Sequence, residues 1–251
     1  MQIITGGTGS WDVIDRLLGN IHVPRMARVR QLFHDPGPID VTETLVSQLQ
    51  DPTYWHALKP GDTVAIAVGS RGIDNQVAAV RTIVRLIKAH KGVPFLIPAM
   101  GSHAGATAEG QKAMLEGMGF TEEQVGAPIR SSMETVELGR TEREHLPVLT
   151  DKIGHEADHL VIINRVKPHV CFRGPYESGL MKMITIGLGK QKGAEIAHNL
   201  GFGHMPEHIE MIAREALRHL KVLFAVALVE NARHETCMAQ VMAGNRIADH
   251  E

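Results

Sequence analysis

Apolar runs and amphipathic stretches alternate along the middle of the chain, which predicts alternating strands and helices. Residues 63–69 (TVAIAVG) are continuously apolar after a Lys-Pro-Gly-Asp turn, as expected for a strand buried on both faces. In residues 75–91, apolar positions recur every three or four residues, so they share one face of a helix that Gly92 is expected to end. The apolar run at 94–98 follows, and a strand, a helix and a strand in this order predict a right-handed parallel crossover.

The same alternation continues on both sides of this unit and predicts the fold class. Helices are expected at 41–49, 108–118 and 209–220, and strands at 136–138, 148–149, 159–164 and 222–229, with an edge strand at 24–33. We therefore predict an α/β fold with a doubly wound, mostly parallel sheet and helices on both faces, in one domain over residues 1–251. The glycine-rich sequence at 6–10 lacks the G-x-G-x-x-G pattern of a dinucleotide site and is interpreted as a flexible turn.

Composition narrows the class of partner. The formal net charge of -2 gives no electrostatic reason to expect nucleic acid or an anionic membrane, so a small molecule is the expected ligand. Cys171 and Cys237 are too few for a disulfide framework or a cysteine-ligated cluster, and the first residues lack the pattern of a signal peptide. A cytoplasmic protein is therefore expected. Its fifteen histidines provide unusual capacity for metal ligation and proton transfer near neutral pH.

Polar, glycine-rich segments follow several predicted strands, at the edge of an open parallel sheet where ligands gather. The sequence Gly-Ser-Arg-Gly at 69–72 exposes backbone N–H groups that suit an oxyanion, and Arg71 can hold a carboxylate at two points. A tight turn with a solvated Arg71 fits the same residues equally well.

Two further segments of this kind each contain one candidate histidine. In GSHAGAT at 101–107, small residues such as Gly101 and Ser102 let a ligand approach the backbone closely, and His103 is the only titratable side chain. In NRVKPH at 164–169, Pro168 restricts the backbone directly before His169 and aims its imidazole at the same cleft. A histidine with a structural role is the alternative at both positions.

The last segment carries a lysine within an apolar stretch. In residues 179–193 (GLMKMITIGLGKQKG), desolvation is expected to favour the neutral amine of Lys182, the form that covalent attachment requires. A lysine at the edge of the core with its amine in solvent is the alternative. From the residues alone, His198, His204 and His208 are expected to be solvated surface residues.

Four segments, in their order along the chain, resemble the N-terminal domain of the lactate racemase family, whose members are nickel-pincer racemases and epimerases. The segments are GSRG, PAMGSHAGATAEGQ, NRVKPH and ESGLMKMITIGLGKQKGA, and the resemblance extends over about residues 60–200. The resemblance implies an isomerase with a lysine-tethered nickel-pincer nucleotide, which is Ni(II) held in a pyridinium-3,5-bisthiocarboxylic acid mononucleotide. By position it assigns His103 and His169 as acid and base, Arg71 as the carboxylate-binding residue, Lys182, Gly101 and Ser102 as cofactor-binding residues, and His198 as the nickel ligand.

The implied reaction inverts a 2-hydroxy acid by removing and returning a hydride. One histidine for each enantiomer takes or gives the hydroxyl proton, and the cofactor carries the hydride because protein groups cannot hold one. The implied partners are a small 2-hydroxy acid and the enzymes that assemble the cofactor, with neither nucleic acid nor a membrane involved.

Departures from the family pattern keep two other functions open. Gly69 and Ser70 replace an acidic residue and a histidine of the prototype, and the resemblance leads us to expect that this chain lacks the family's C-terminal domain. One alternative is a hydrolase whose zinc is bound by His103, His169 and His198. The other is a module that binds a carboxylate or phosphate without catalysis.

Overall fold

The computed structural model describes residues 11–22, 25–199 and 201–251, and the chain divides into two units, 1–34 and 35–251. The glycine-rich turn expected at 6–10 lies outside the described residues.

The first unit contains helix α1 (Trp11–Leu18). Residues 25–33 form no strand, so the edge strand expected at 24–33 is wrong over its described part. The apolar side chains Met26, Val29 and Leu32 recur every third residue and are exposed, whereas a strand turns every second side chain to the same face.

The second unit is built on a mostly parallel sheet. The strands of this unit are β1 (Thr63–Val68), β2 (Val93–Pro98), β3 (Thr135–Arg140), β4 (Pro147–Asp151), β5 (His159–Arg165), β6 (Val222–Glu230) and β7 (Thr236–Ala243). The main sheet has the order β2-β1-β5-β6-β7, in which β7 is antiparallel to β6 and the other neighbours are parallel. The predicted α/β class and mostly parallel sheet are confirmed.

Helices cover both faces of this sheet, as predicted. The helices of this unit are α2 (Val41–Gln48), α3 (Gln76–Ala89), α4 (Ala108–Gly117), α5 (Glu122–Val125), α6 (Lys152–Glu156), α7 (Leu180–Lys182), α8 (Lys190–His198), α9 (Met205–Leu217) and α10 (Ile247–His250), with a π-helical turn (Met183–Gly187) after α7. The side chains of Val64, Ile66 and Val68 in β1 pack with α3, while Ala65 and Ala67 pack on the face of α9. Because both faces are buried, the strand is apolar from Val64 to Val68. In the described part of the chain, no helix is long and apolar enough to cross a membrane.

Two features of the sheets differ from the expectation. The strands expected at 136–138 and 148–149 pair with each other as β3 and β4, in a separate antiparallel hairpin. Strand β7 was not expected, because its half-buried edge position mixes polar and apolar residues. The side chain of Gln48 covers its free edge by donating to Ala239 O at 2.8 Å and accepting from Val241 N at 2.7 Å. These hydrogen bonds replace those of a missing neighbouring strand.

The end of α3 also differs from the expectation. Lys91, rather than Gly92, adopts the left-handed conformation with φ 63°, and Gly92 N donates to Ile87 O at 2.9 Å. A Cβ atom at Gly92 would lie 2.8 Å from Ile87 Cγ2. Glycine is therefore needed here for close packing rather than for its backbone freedom.

Candidate active site

A cavity of about 460 Å³ opens at the carboxyl edge of the sheet, where the loops after β1, β2 and β5 meet α7 and the π-helical turn. The side chains that line it include Arg71 after β1, His103 after β2, His169 after β5 and Lys182 in α7. The carboxyl ends of parallel strands lie at one edge of a sheet, so their loops converge. The structure brings these four expected site residues together.

Gly101 and Ser102 lie beside this cavity rather than in its lining. Gly101 has φ 57°, its N–H donates to Gly187 O at 3.3 Å, and a Cβ atom at this position would lie 3.2 Å from Ile186 Cγ2. Gly101 thus packs the loop against the π-helical turn. Ser102 is exposed and makes no hydrogen bond to a described residue.

His103 presents one free ring nitrogen. Its Nδ1 lies 2.6 Å from Met100 O, and because a carbonyl can only accept, the neutral ring carries its proton on Nδ1. Nε2 then keeps its lone pair and makes no hydrogen bond to a described residue. His103 is therefore arranged to accept a proton at Nε2.

His169 has the opposite arrangement. Its Nδ1 accepts a hydrogen bond from Cys171 N at 3.2 Å, so the neutral ring carries its proton on Nε2. The ring stacks on Phe172 with 4.2 Å between centroids, and the His169 backbone N–H donates to Glu177 Oε2 at 2.6 Å. Burial and the positive charges of Lys182 and Lys167 lower the pKa of His169, so the ring is neutral at neutral pH and offers a donor.

Replacing Lys167 with methionine is expected to raise the pKa of His169 toward its ordinary value, because one of the nearby positive charges is removed. The pKa is measured by NMR titration of the His169 ring protons. Lys221→Met is the control, because Lys221 precedes β6 at the opposite edge of the sheet. An unchanged or lower pKa in Lys167→Met would contradict the electrostatic coupling.

Lys182 has a half-buried amine without a polar partner. Its Nζ lies 5.4 Å from the centre of the Phe172 ring and makes no hydrogen bond or ion pair with any described residue. Burial lowers the pKa of Lys182, and the positive charges of Lys167 and Arg71 lower it further. A lowered pKa increases the fraction of neutral, nucleophilic amine.

The helix that carries Lys182 is held at its start by two distant side chains. Asn164 Nδ2 donates to Gly179 O at 2.7 Å, and Glu251 Oε2 accepts from Met181 N at 2.7 Å. A Cβ atom at Gly179 would lie 2.0 Å from Glu251 Oε1, so a larger residue would displace the carboxylate. The direction in which Lys182 enters the cavity therefore depends on residues far from it in sequence.

Glu251 is expected to make stability fall as pH rises. Burial raises the pKa of Glu251 to about 7 from an ordinary value of 4.5, against the effect of the N–H groups of Met181 and Leu180. Between these two values the folded state keeps a proton that the unfolded state has lost, so the free energy of unfolding decreases with pH across this window. In Glu251→Gln this decrease should disappear. Urea unfolding of both proteins across the window is the measurement, and parallel pH profiles would contradict the expectation.

The cavity has a net positive charge, because most of the cationic side chains in its described lining have no carboxylate partner. No aspartate or glutamate is among the residues that line it in the described structure. Arg165 is ion-paired with Glu230, but Arg71 has no hydrogen bond or ion pair to a described residue, and the Lys167 amine donates only to Pro168 O at 3.0 Å. This field favours an anionic ligand.

A second groove, of about 420 Å³, lies between residues 141–144 and α9 and is lined mainly by glutamate and arginine. Arg214 pairs with Glu210 at 2.9 Å, and Arg218 pairs with Glu215 at 2.8 Å. Because these two arginines are paired with neighbouring carboxylates in solvent, this groove resembles an ordinary charged surface.

The family model of the lactate racemase N-terminal domain matches residues 33–210. This chain belongs to that family. The lactate racemase apoprotein from Thermoanaerobacterium thermosaccharolyticum has a similar fold, with a TM-score of 0.57 and 16% sequence identity, over 82% of this chain and 53% of that chain. This chain thus spans about half the length of that protein. A comparison with curated proteins found no match.

In this lactate racemase N-terminal domain, the expected nickel ligand His198 is exposed and does not line the cavity. Its Nδ1 lies 2.6 Å from Ala194 O, so the neutral ring carries its proton on Nδ1 and keeps the lone pair of Nε2. Phe202 contacts both the His198 ring and the His169 ring, at centroid distances of 6.0 and 6.4 Å. One aromatic side chain therefore links His198 to the mouth of the cavity.

The alternative prediction of a zinc site formed by His103, His169 and His198 is wrong. Across the described ranges, no three histidine, cysteine, aspartate or glutamate side chains are close enough together to hold a metal ion. A hydrolytic zinc centre needs about three protein ligands, so these imidazoles do not form one.

Sequence reasoning did not single out several residues of this domain's site. Lys167 and Asn164 lie in the NRVKPH segment, and their position after a strand was the available signal. Phe172, which packs between the Lys182 amine and the His169 ring, and Glu251 carried no such signal. Their contacts exist only in the folded chain.

Proposed function

We propose that this domain uses a lysine-tethered nickel-pincer nucleotide to racemise or epimerise a 2-hydroxy acid. The observation that carries the proposal is the pair His103 and His169, which have opposite proton positions in one positively charged cavity beside Lys182. Membership of the lactate racemase N-terminal domain family supports this class of reaction.

The residues present suit this cofactor. Lys182 offers an amine with a lowered pKa, and His198 offers an imidazole whose Nε2 is not engaged. Because the cofactor would bring its own sulfur and carbon ligands, the protein would need to supply only one imidazole to the nickel. Lys182 would hold the organic part and His198 the metal. When bound, the cofactor supplies the hydride acceptor that protein side chains lack.

The chain's own residues bind the acid and move its proton. Arg71 holds the carboxylate at two points, since its guanidinium has no competing partner among the described residues. His103 accepts the hydroxyl proton at Nε2, and His169 donates a hydrogen bond from Nε2 to the substrate oxygen. In the reaction of the other enantiomer, His169 would accept the hydroxyl proton at Nε2, so the ring's own proton would have to lie on Nδ1. That tautomer loses the hydrogen bond that Cys171 N donates to Nδ1.

Co-expression with the cofactor-assembly enzymes tests the proposal. The purified chain is expected to gain mass at Lys182, to bind nickel in proportion to that adduct, and to interconvert the enantiomers of a 2-hydroxy acid by chiral chromatography. Peptide mapping locates the adduct. Unmodified protein under conditions that load a known lactate racemase would refute the proposal.

A binding module without catalysis is the second candidate, because the cavity has Arg71 and no carboxylate in its described lining and so can hold an anion by charge alone. The positive cavity would then hold a carboxylate or phosphate. Thermal stabilisation by phosphate or lactate, with no interconversion of enantiomers by the cofactor-loaded chain, would favour this function.

A further inference from the structure

Lys190 is a charged residue that is completely buried beneath the cavity wall. Its side chain has 0% exposure, and its backbone has φ 55°, which is unfavourable for a lysine. Its Nζ forms an ion pair with Asp151 Oδ2 at 2.8 Å, and donates to Pro98 O at 2.5 Å and to Gln111 Oε1 at 3.5 Å. The ammonium therefore donates to two acceptors, while its contact with Asp151 Oδ2 is an ion pair without hydrogen-bond geometry among the described residues.

Gln111 extends these contacts to the loop that contains His103. Its Nε2 donates to Gly101 O at 2.8 Å and to His103 O at 3.4 Å, while its Oε1 faces the Lys190 ammonium. An ammonium can only donate, so this contact determines which way the amide points. Lys190 thus holds the start of the loop, and Gln111 holds the residues around the imidazole.

The loop needs such support. The His103 side chain is exposed, so packing does not hold it. Ala104 and Ala106 have φ 54° and 53°, a left-handed conformation that alanine rarely adopts. Residues stay in such conformations only where the surrounding structure imposes them.

We propose that Asp151, Lys190 and Gln111, here called the buried network, position His103 for proton transfer. A buried ion pair adds little net stability, because desolvation offsets its attraction, so stability alone does not explain why charges are kept here. None of the three residues lines the cavity, which makes them positioning residues rather than catalytic ones. The proton-transfer role of His103 rests on the proposed function, whereas its positioning does not.

Gln111→Leu is the test, with Gln76→Leu as the matched control. Gln76 is also buried, with 2% exposure, but its amide atoms have no hydrogen-bond partner among the described residues, so the same replacement there removes no hydrogen bond seen in the structure. Hydrogen–deuterium exchange of the apoprotein is followed by mass spectrometry over residues 99–107. Long-range nitrogen NMR spectra of the His103 ring report which nitrogen carries the proton.

In Gln111→Leu, exchange in this loop is expected to rise about tenfold or more, and the His103 proton is expected to spread over both ring nitrogens. Gln76→Leu should match the wild type in both measurements. Gln111→Glu keeps an acceptor for Lys190 and removes the donors to the loop, so it should reproduce the effect if Gln111→Leu does not fold. If folded Gln111→Leu protein exchanges at the wild-type rate in this loop and keeps a single His103 tautomer, the proposal is overturned. Both measurements use apoprotein and are independent of racemase activity.

Discussion

Under the proposed function, Lys182→Arg is expected to abolish covalent attachment of the nickel-pincer nucleotide and, with it, the racemisation of any 2-hydroxy acid. Arginine keeps the positive charge and a similar length, but its guanidinium stays protonated and is a poor nucleophile. Lys182 differs because burial, Lys167 and Arg71 lower the pKa of its amine. Without the hydride acceptor, the rate should fall by at least roughly a million-fold, the lower end of enzymatic rate enhancements.

Intact mass and chiral chromatography after co-expression with the assembly enzymes measure these effects. Lys192→Arg is the matched control, because Lys192 is an exposed lysine of α8 and should leave both the adduct and the activity unchanged. An adduct of undiminished yield on the Lys182→Arg protein would show that another residue carries the cofactor.

Lys190→Met is expected to lower the free energy of unfolding by about 3–5 kcal/mol, the usual cost of removing one partner of a buried ion pair. Asp151 is 1% exposed, and in the variant its carboxylate would remain buried without the ammonium. Denaturant unfolding measures the change.

The double variant Lys190→Met with Asp151→Asn separates charge from packing. Asparagine keeps an oxygen for the hydrogen bond from Gly154 N but removes the unpaired charge, so most of the lost stability should return. Lys192→Met, at an exposed site, should change stability by no more than about 0.5 kcal/mol. A loss below about 1 kcal/mol for Lys190→Met would mean that the pair is solvated and behaves as a surface ion pair.

The central sheet and the edge at which the site lies could be predicted from local patterns. Strand β1 is apolar at every position after Thr63 because both of its faces are buried, and such a run is visible without knowledge of its neighbours. Parallel order then places the loops with Arg71, His103 and His169 at one edge. The same reasoning failed at 25–33, where apolar residues have no sheet to join, and at β7, whose half-buried pattern is ambiguous.

The sequence by itself determined the fold class and which loops carry the candidate chemistry, because hydrophobic periodicity and chain order are local properties. The tertiary structure alone decided the chemical state of the site. The opposite proton positions of His103 and His169, the effect of Lys167 on His169, and the contacts of Lys190 and Gln111 depend on the surrounding backbone, charges and partners. A pKa or a tautomer follows from the groups within a few ångströms, and here folding brings many of those groups from distant parts of the chain.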